Sequence, residues 1–91
     1  MGLIMDKSYN PFLNILPTID VHGFNRDMIK CTLDEFIKDN IKIGNKKIVI
    51  IHGIGEGILK REIHQQLKND KRVQKYYLDG FNIGCTIIEL N

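Results

Sequence analysis

The chain has 91 residues, 43% hydrophobic and 26% charged, enough for one modest core and too apolar for a disordered tail. Thirteen Lys and Arg against eleven Asp and Glu leave a net charge of +2, which permits an anionic partner without demanding one. No window approaches the ~20 apolar residues of a membrane span, and MGLIMDKSYNPF lacks the basic opening and long apolar run of a signal peptide, so a cytoplasmic protein with no membrane partner is expected.

Residues 1–16 show no sustained periodicity and read as an irregular arm, with the domain running from 17 to 91. TIDVHG follows, in which Ile19 and Val21 alternate with Asp20 and His22, a short strand stopped by Gly23. In NRDMIKCTLDEFIKDNIKIG, Asn25 suits a helix N-cap and Gly44 a C-terminal stop. Ile29, Leu33, Phe36, Ile37 and Ile41 recur between them at helical spacing. KKIVIIHG is a continuous apolar run, the pattern of a strand covered on both faces or central in its sheet. Past the glycines, ILKREIHQQLKND sets Leu59, Ile63 and Leu67 on one stripe and leaves His64 among polar neighbours, as a surface residue. Val73–Asp79 and Cys85–Leu90 read as third and fourth strands around a Gly80–Gly84 loop. Cys31 and Cys85 form no CxxC pair and read as reduced, partly buried thiols.

The order is βαβαββ. Strands separated by a helix should run parallel through right-handed crossovers, and the short last connection pairs the final two strands antiparallel. The expected fold is α/β, a two-layer sandwich of a four-stranded mixed sheet with both helices on one face.

IDVHG and VIIHG each end a strand with apolar-His-Gly and each precedes a helix. Parallel neighbours would set His22 and His52 at one carboxyl edge, where open α/β sheets place ligands and two helix N-termini offer free N–H groups. Such a rim suits phosphate. Asp20 and His22 stand at i and i+2, on the same face of a strand, so the carboxylate can orient the imidazole; a cap on a nearby turn is the structural alternative for Asp20. Gly53, Gly55 and Gly57 spell GxGxG, neither the dinucleotide GxGxxG nor a P-loop. What fits is a backbone nest before a helix that holds a phosphate, or else only a tight turn. Zinc would need a fuller ligand set, and Asp20, His22 and His52 could hold a harder ion only loosely.

These residues resemble the Smr (small MutS-related) domain family. IDVHG looks like its LDLHG signature, IIHGIGEGILK is similar to its HGxGxG signature with a basic position at Lys60, and GCTIIEL resembles its closing Gly-x-Thr strand. Ile54 stands where that signature commonly carries Lys or Arg. The resemblance covers residues 18–90 and implies a fold like the C-terminal domain of translation initiation factor three. It implies endonuclease work on RNA or DNA, in DNA repair or recombination or at stalled ribosomes. Asp20, His22 and His52 would be catalytic, His52 serving as proton donor or phosphate ligand. Gly53, Gly55, Gly57, Lys60 and Arg61 would bind the phosphate. RNA cleavage through the 2′-hydroxyl needs no metal, whereas DNA nicking calls for a magnesium or manganese ion. The other classes open to these residues are a non-catalytic module that binds nucleic acid or the ribosome and a binder of small phosphorylated ligands.

Overall fold

The structure is a computed structural model and describes residues 16–55 and 57–91. The arm expected over 1–16 thus lies, apart from Leu16, outside the described residues. Strand β1 is Thr18–Asp20, helix α1 Arg26–Ile43, β2 Lys47–Ile51, α2 Ile58–Lys68, β3 Val73–Leu78 and β4 Cys85–Leu90. The sheet order is β1-β2-β4-β3. β1 and β2 are parallel, and β4 runs antiparallel to both β2 and β3. The four-stranded mixed sheet expected from the helix-separated strands is therefore present, with β4 inserted between β2 and β3.

Alternation along each strand sends one set of side chains to the helices. Ile48 and Ile50 of β2 and Ile88 and Leu90 of β4 are buried with Ile29, Leu33 and Ile37 of α1 and Ile63 and Leu67 of α2. Both helices thus share one face of the sheet. Each fully buried aliphatic side chain stabilises the fold by about 1.5–3 kcal/mol. The continuous apolar run of β2 matches its central place, since Val49 and Ile51 on the opposite face are still half-buried.

Helix α1 starts and stops where local chemistry dictates. Asn25 Oδ1 accepts the Met28 N–H at 2.8 Å, and Gly44 closes the helix at φ 94°. One position departs from the expected stripe: Ile41 is exposed and Asn40 is buried in its place. At ~100° per residue the buried positions 29, 33, 37 and 40 span an arc of ~80°, with 40 inside it and 41 beyond its edge. Asn40 meets its polar needs by donating to the Phe36 carbonyl and accepting from Asn45 Nδ2. Both cysteines are free; Cys31 is exposed and Cys85 buried.

Candidate functional site

Parallel pairing in the register Asp20 with Ile51 makes β1 and β2 end together. Because β4 runs the other way, β3 ends and β4 begins at that same edge. The segments converging there are the His22–Gly23 turn, the glycine turn after His52, and the loop between β3 and β4.

Asp20 and His22 leave β1 on one side. His22 Nδ1 lies 2.6 Å from Asp20 Oδ1, and the His22 backbone N–H donates to the same oxygen at 3.1 Å. An ionised carboxylate only accepts, so Nδ1 carries the hydrogen and Nε2 is left to act. The His22 side chain is 71% exposed, so that nitrogen opens to solvent. The side-chain bond from His22, then the backbone bond, holds the Asp20 carboxyl below its usual range.

His52 has a different environment, although its sequence setting mirrors that of His22. It is only 4% exposed. Its Nδ1 faces the Gly53 carbonyl at 2.8 Å and its Nε2 faces Thr86 Oγ1 at 2.8 Å. The carbonyl can only accept, so Nδ1–H donates to it, and Nε2 of the neutral ring accepts from the Thr86 hydroxyl. Thr86 in turn accepts from His64 Nε2 at 2.7 Å. The order of donation is His64 to Thr86 to His52 to Gly53. Both ring nitrogens of His52 are thereby spent on the protein, which leaves none for the proton donation or phosphate contact expected of it. His64, expected at the surface, is half-buried, and this burial, with His52 and Lys60 nearby, holds its imidazole below its usual range.

The glycine turn is held from below. The His52 and Gly53 N–H groups both donate to the Gly84 carbonyl, at 2.9 and 3.0 Å. Gly53 and Gly57 take φ 88° and 80°, a region that side-chain-bearing residues rarely enter. A Cβ on Gly53 would stand 3.5 Å from the His22 Cβ, so the turn passes directly against the Asp20–His22 pair. Gly57 caps α2 without a side-chain bond, and among the described residues no side chain claims the first-turn N–H groups and their partial positive charge.

Between these parts lies an open cavity of about 490 Å³, lined by His22, His52, Gly53, Gly55, Gly57 and Lys60 among others. Ile54 and Ile58 form an exposed apolar lip. Arg61 faces a neighbouring hollow of about 380 Å³ along α2, which it shares with Lys60, His64, Lys68 and Tyr76. Lys60 borders both. A hollow of about 740 Å³ between the helices holds none of these residues. Its Arg72 is consumed by Asp70 and Asp34 at 2.6 and 2.9 Å.

Among the described residues no three His, Cys, Asp or Glu side chains gather as an ion would require, so Asp20, His22 and His52 do not converge on a metal. Among the same residues no helix is long and apolar enough to cross a membrane. Sequence reasoning missed Thr86 and His64 as partners of His52. The signal available was Thr86 itself, a polar residue at a helix-facing position that alternates with Ile88 and Leu90.

A profile of the Smr domain matches residues 19–91. The chain is 40% identical over 80 residues to a protein of Finegoldia magna named endonuclease MutS2, and 37% identical over 76 residues to its namesake in Alkaliphilus metalliredigens. Those matches cover 85% and 79% of this chain but 10% of each relative, so the chain spans about a tenth of their length. The fold superposes on the Smr domain of Thermus thermophilus MutS2 with TM-score 0.80 at 23% identity, covering 84% of this chain and 99% of that one. It also superposes on YdaL, a stand-alone small MutS-related protein from Escherichia coli, with TM-score 0.77 at 18% identity, covering 81% and 63%.

Proposed function

The chain belongs to the Smr domain family, and from that premise we propose that it is a nucleic-acid phosphodiesterase with RNA as the favoured substrate. The observation that carries the reading is the 2.6 Å Asp20–His22 pair, exposed at the lip of a cavity built from glycine backbone, a helix N-terminus and Lys60. The endonuclease name of the relatives supports the same class.

The N–H groups of Ile54, Gly55 and Gly57 and of the first turn of α2, with the Lys60 ammonium, hold the phosphate and neutralise charge that grows on its oxygens. His22 Nε2 takes the proton of the attacking 2′-hydroxyl while Asp20 fixes the ring and stabilises its developing positive charge. The 2′-oxygen bonds to phosphorus, the bond to the 5′-oxygen breaks, the leaving oxygen takes a proton from water in the open cavity, and the His22 imidazolium returns its proton to the hydroxide so formed. The products are a 2′,3′-cyclic phosphate and a 5′-hydroxyl. In this reading His52 is a positioning residue that fixes the Gly53 carbonyl and with it the turn.

The test incubates pure protein with labelled single-stranded RNA and with supercoiled plasmid, in EDTA, magnesium or manganese. Cleavage of RNA in EDTA to cyclic-phosphate ends, abolished in a folded Asp20→Ala, His22→Ala double variant, is the expected result. Undiminished cleavage by that variant overturns it. A second reading, a module that binds nucleic acid or the ribosome without cutting, is favoured by Ile54, which is 65% exposed at the cavity lip where the family signature commonly carries a cation. Salt-sensitive binding with no cleavage under any of these conditions selects it.

A further inference from the structure

We infer that Phe81, at the tip of the loop between β3 and β4, is a stacking platform for a base next to the phosphate held in the cavity, which makes the ligand a single-stranded nucleic acid. The inference rests on the nucleic-acid reading above but not on cleavage.

Phe81 is 103% exposed, as open as an aromatic side chain can be. Its loop is nevertheless tightly tied. Asp79 Oδ1 accepts the Phe81 N–H at 2.9 Å, Asn82 Oδ1 accepts the Gly84 N–H at 2.9 Å, and the Asn82 carbonyl accepts the Cys85 N–H at 3.0 Å. The Asp79 N–H closes the loop on the Cys85 carbonyl, also at 3.0 Å. A ring carried on such a frame has no route into the core, so its exposure has no folding role to explain it.

The frame is also joined to the candidate site. Gly84 accepts from both His52 and Gly53, and a Cβ there would lie 3.4 Å from Ile54 Cγ1. Phe81 and the exposed Ile83 therefore stand at the same sheet edge as His22, on the opposite side of the glycine turn. A phosphate in the turn would have His22 toward β1 and an aromatic ring toward β3.

Charge identifies the class of occupant. The adjoining hollow along α2 carries Lys60, Arg61 and Lys68, none ion-paired among the described residues. Cations running along α2 from the cavity, and an exposed ring at the same sheet edge, match a strand of alternating phosphates and bases. In a duplex the bases stack on one another and hide their faces, so the ring can serve only an unstacked base.

The chain contains no tryptophan, so Phe81→Trp places a unique indole at the site. In a His22→Ala background that prevents cutting, it is titrated with a short uridine-rich RNA and with a blunt duplex of equal length. Quenching by the single strand and not by the duplex is expected. Phe81→Ala should weaken single-strand binding roughly 5- to 150-fold, Phe81→Tyr should restore it, and all three should melt as the parent does. Equal quenching by the duplex, or unchanged affinity in Phe81→Ala, overturns the inference. No response to either nucleic acid also overturns it and leaves a protein contact as the role of the loop. Stacking without cleavage by the parent protein removes only the phosphodiesterase reading; cleavage with unchanged KM in Phe81→Ala removes only this one.

Discussion

Thr86 is one buried hydroxyl serving two imidazoles, donating to His52 and accepting from His64. Thr86→Val keeps the shape but leaves both nitrogens without a partner, at about 1–3 kcal/mol for each buried group left unsatisfied. Its melting temperature should fall by roughly 4–8 °C per kcal/mol in a domain of this size, and Thr86→Ser should recover most of the loss. His64 adds a pH dependence with a definite sign. Its folded-state value lies below its ordinary one because burial disfavours the imidazolium. The stability it contributes is therefore complete above pH ~6.5 and is lost as pH falls through the folded value. Melting curves between pH 8 and 5 should show this decline, and His64→Gln should flatten it. The Asp20–His22 pair was legible because residues two apart on a strand share a face. The His52 partners were not, since separations of 34 and 22 residues lie beyond any local pattern. The matching apolar-His-Gly ends also hide a difference in place: among the described strands β1 lies at the edge, where His22 emerges into solvent, whereas β2 is central and His52 is enclosed.

Among the elements, what can be read locally is what local chemistry decides. Asn25 and Gly44 bound α1 because a side-chain oxygen and a left-handed glycine satisfy helix ends without help from the rest of the chain. Asn25→Ala should cost about 1 kcal/mol, visible in chemical denaturation. The alternation of β4 and the apolar run of β2 likewise announce strands and burial. The loop between β3 and β4 contributes to the site by tertiary contact alone, and nothing in its sequence says that Gly84 supports the glycine turn. Adding a methyl there would bring a carbon within 3.2 Å of Asn82 Oδ1 and 3.4 Å of the Gly53 carbonyl carbon. Gly84→Ala should therefore shift the turn relative to His22. Under the proposed reading, the rate of RNA cleavage should fall far more than the melting temperature does.

Across the whole molecule, a net charge of +2 says little because the charges are sorted by face. On α2, Glu62 reaches Arg26 at 3.1 Å on the side of α1, while Lys60, Arg61 and Lys68 border the hollow toward β3. Arg72 is neutralised by Asp70 and Asp34, and Lys47 and Lys75 lean toward Glu89 at 3.9 Å. A polyanion crossing the candidate site along α2 would meet these α2 cations and displace condensed counterions at each contact. The logarithm of its affinity should then fall linearly with the logarithm of salt concentration, each lost phosphate contact flattening the slope by roughly 0.7 for a single strand. Lys60→Ala and Lys68→Ala should each produce that flattening in a fluorescence-anisotropy titration with labelled RNA. Lys47→Ala and Lys75→Ala should leave the slope as it is, because their strand positions share Glu89's face of the sheet and not the hollow along α2. Equal flattening by all four would show that the whole surface attracts RNA, and the path along α2 would be wrong.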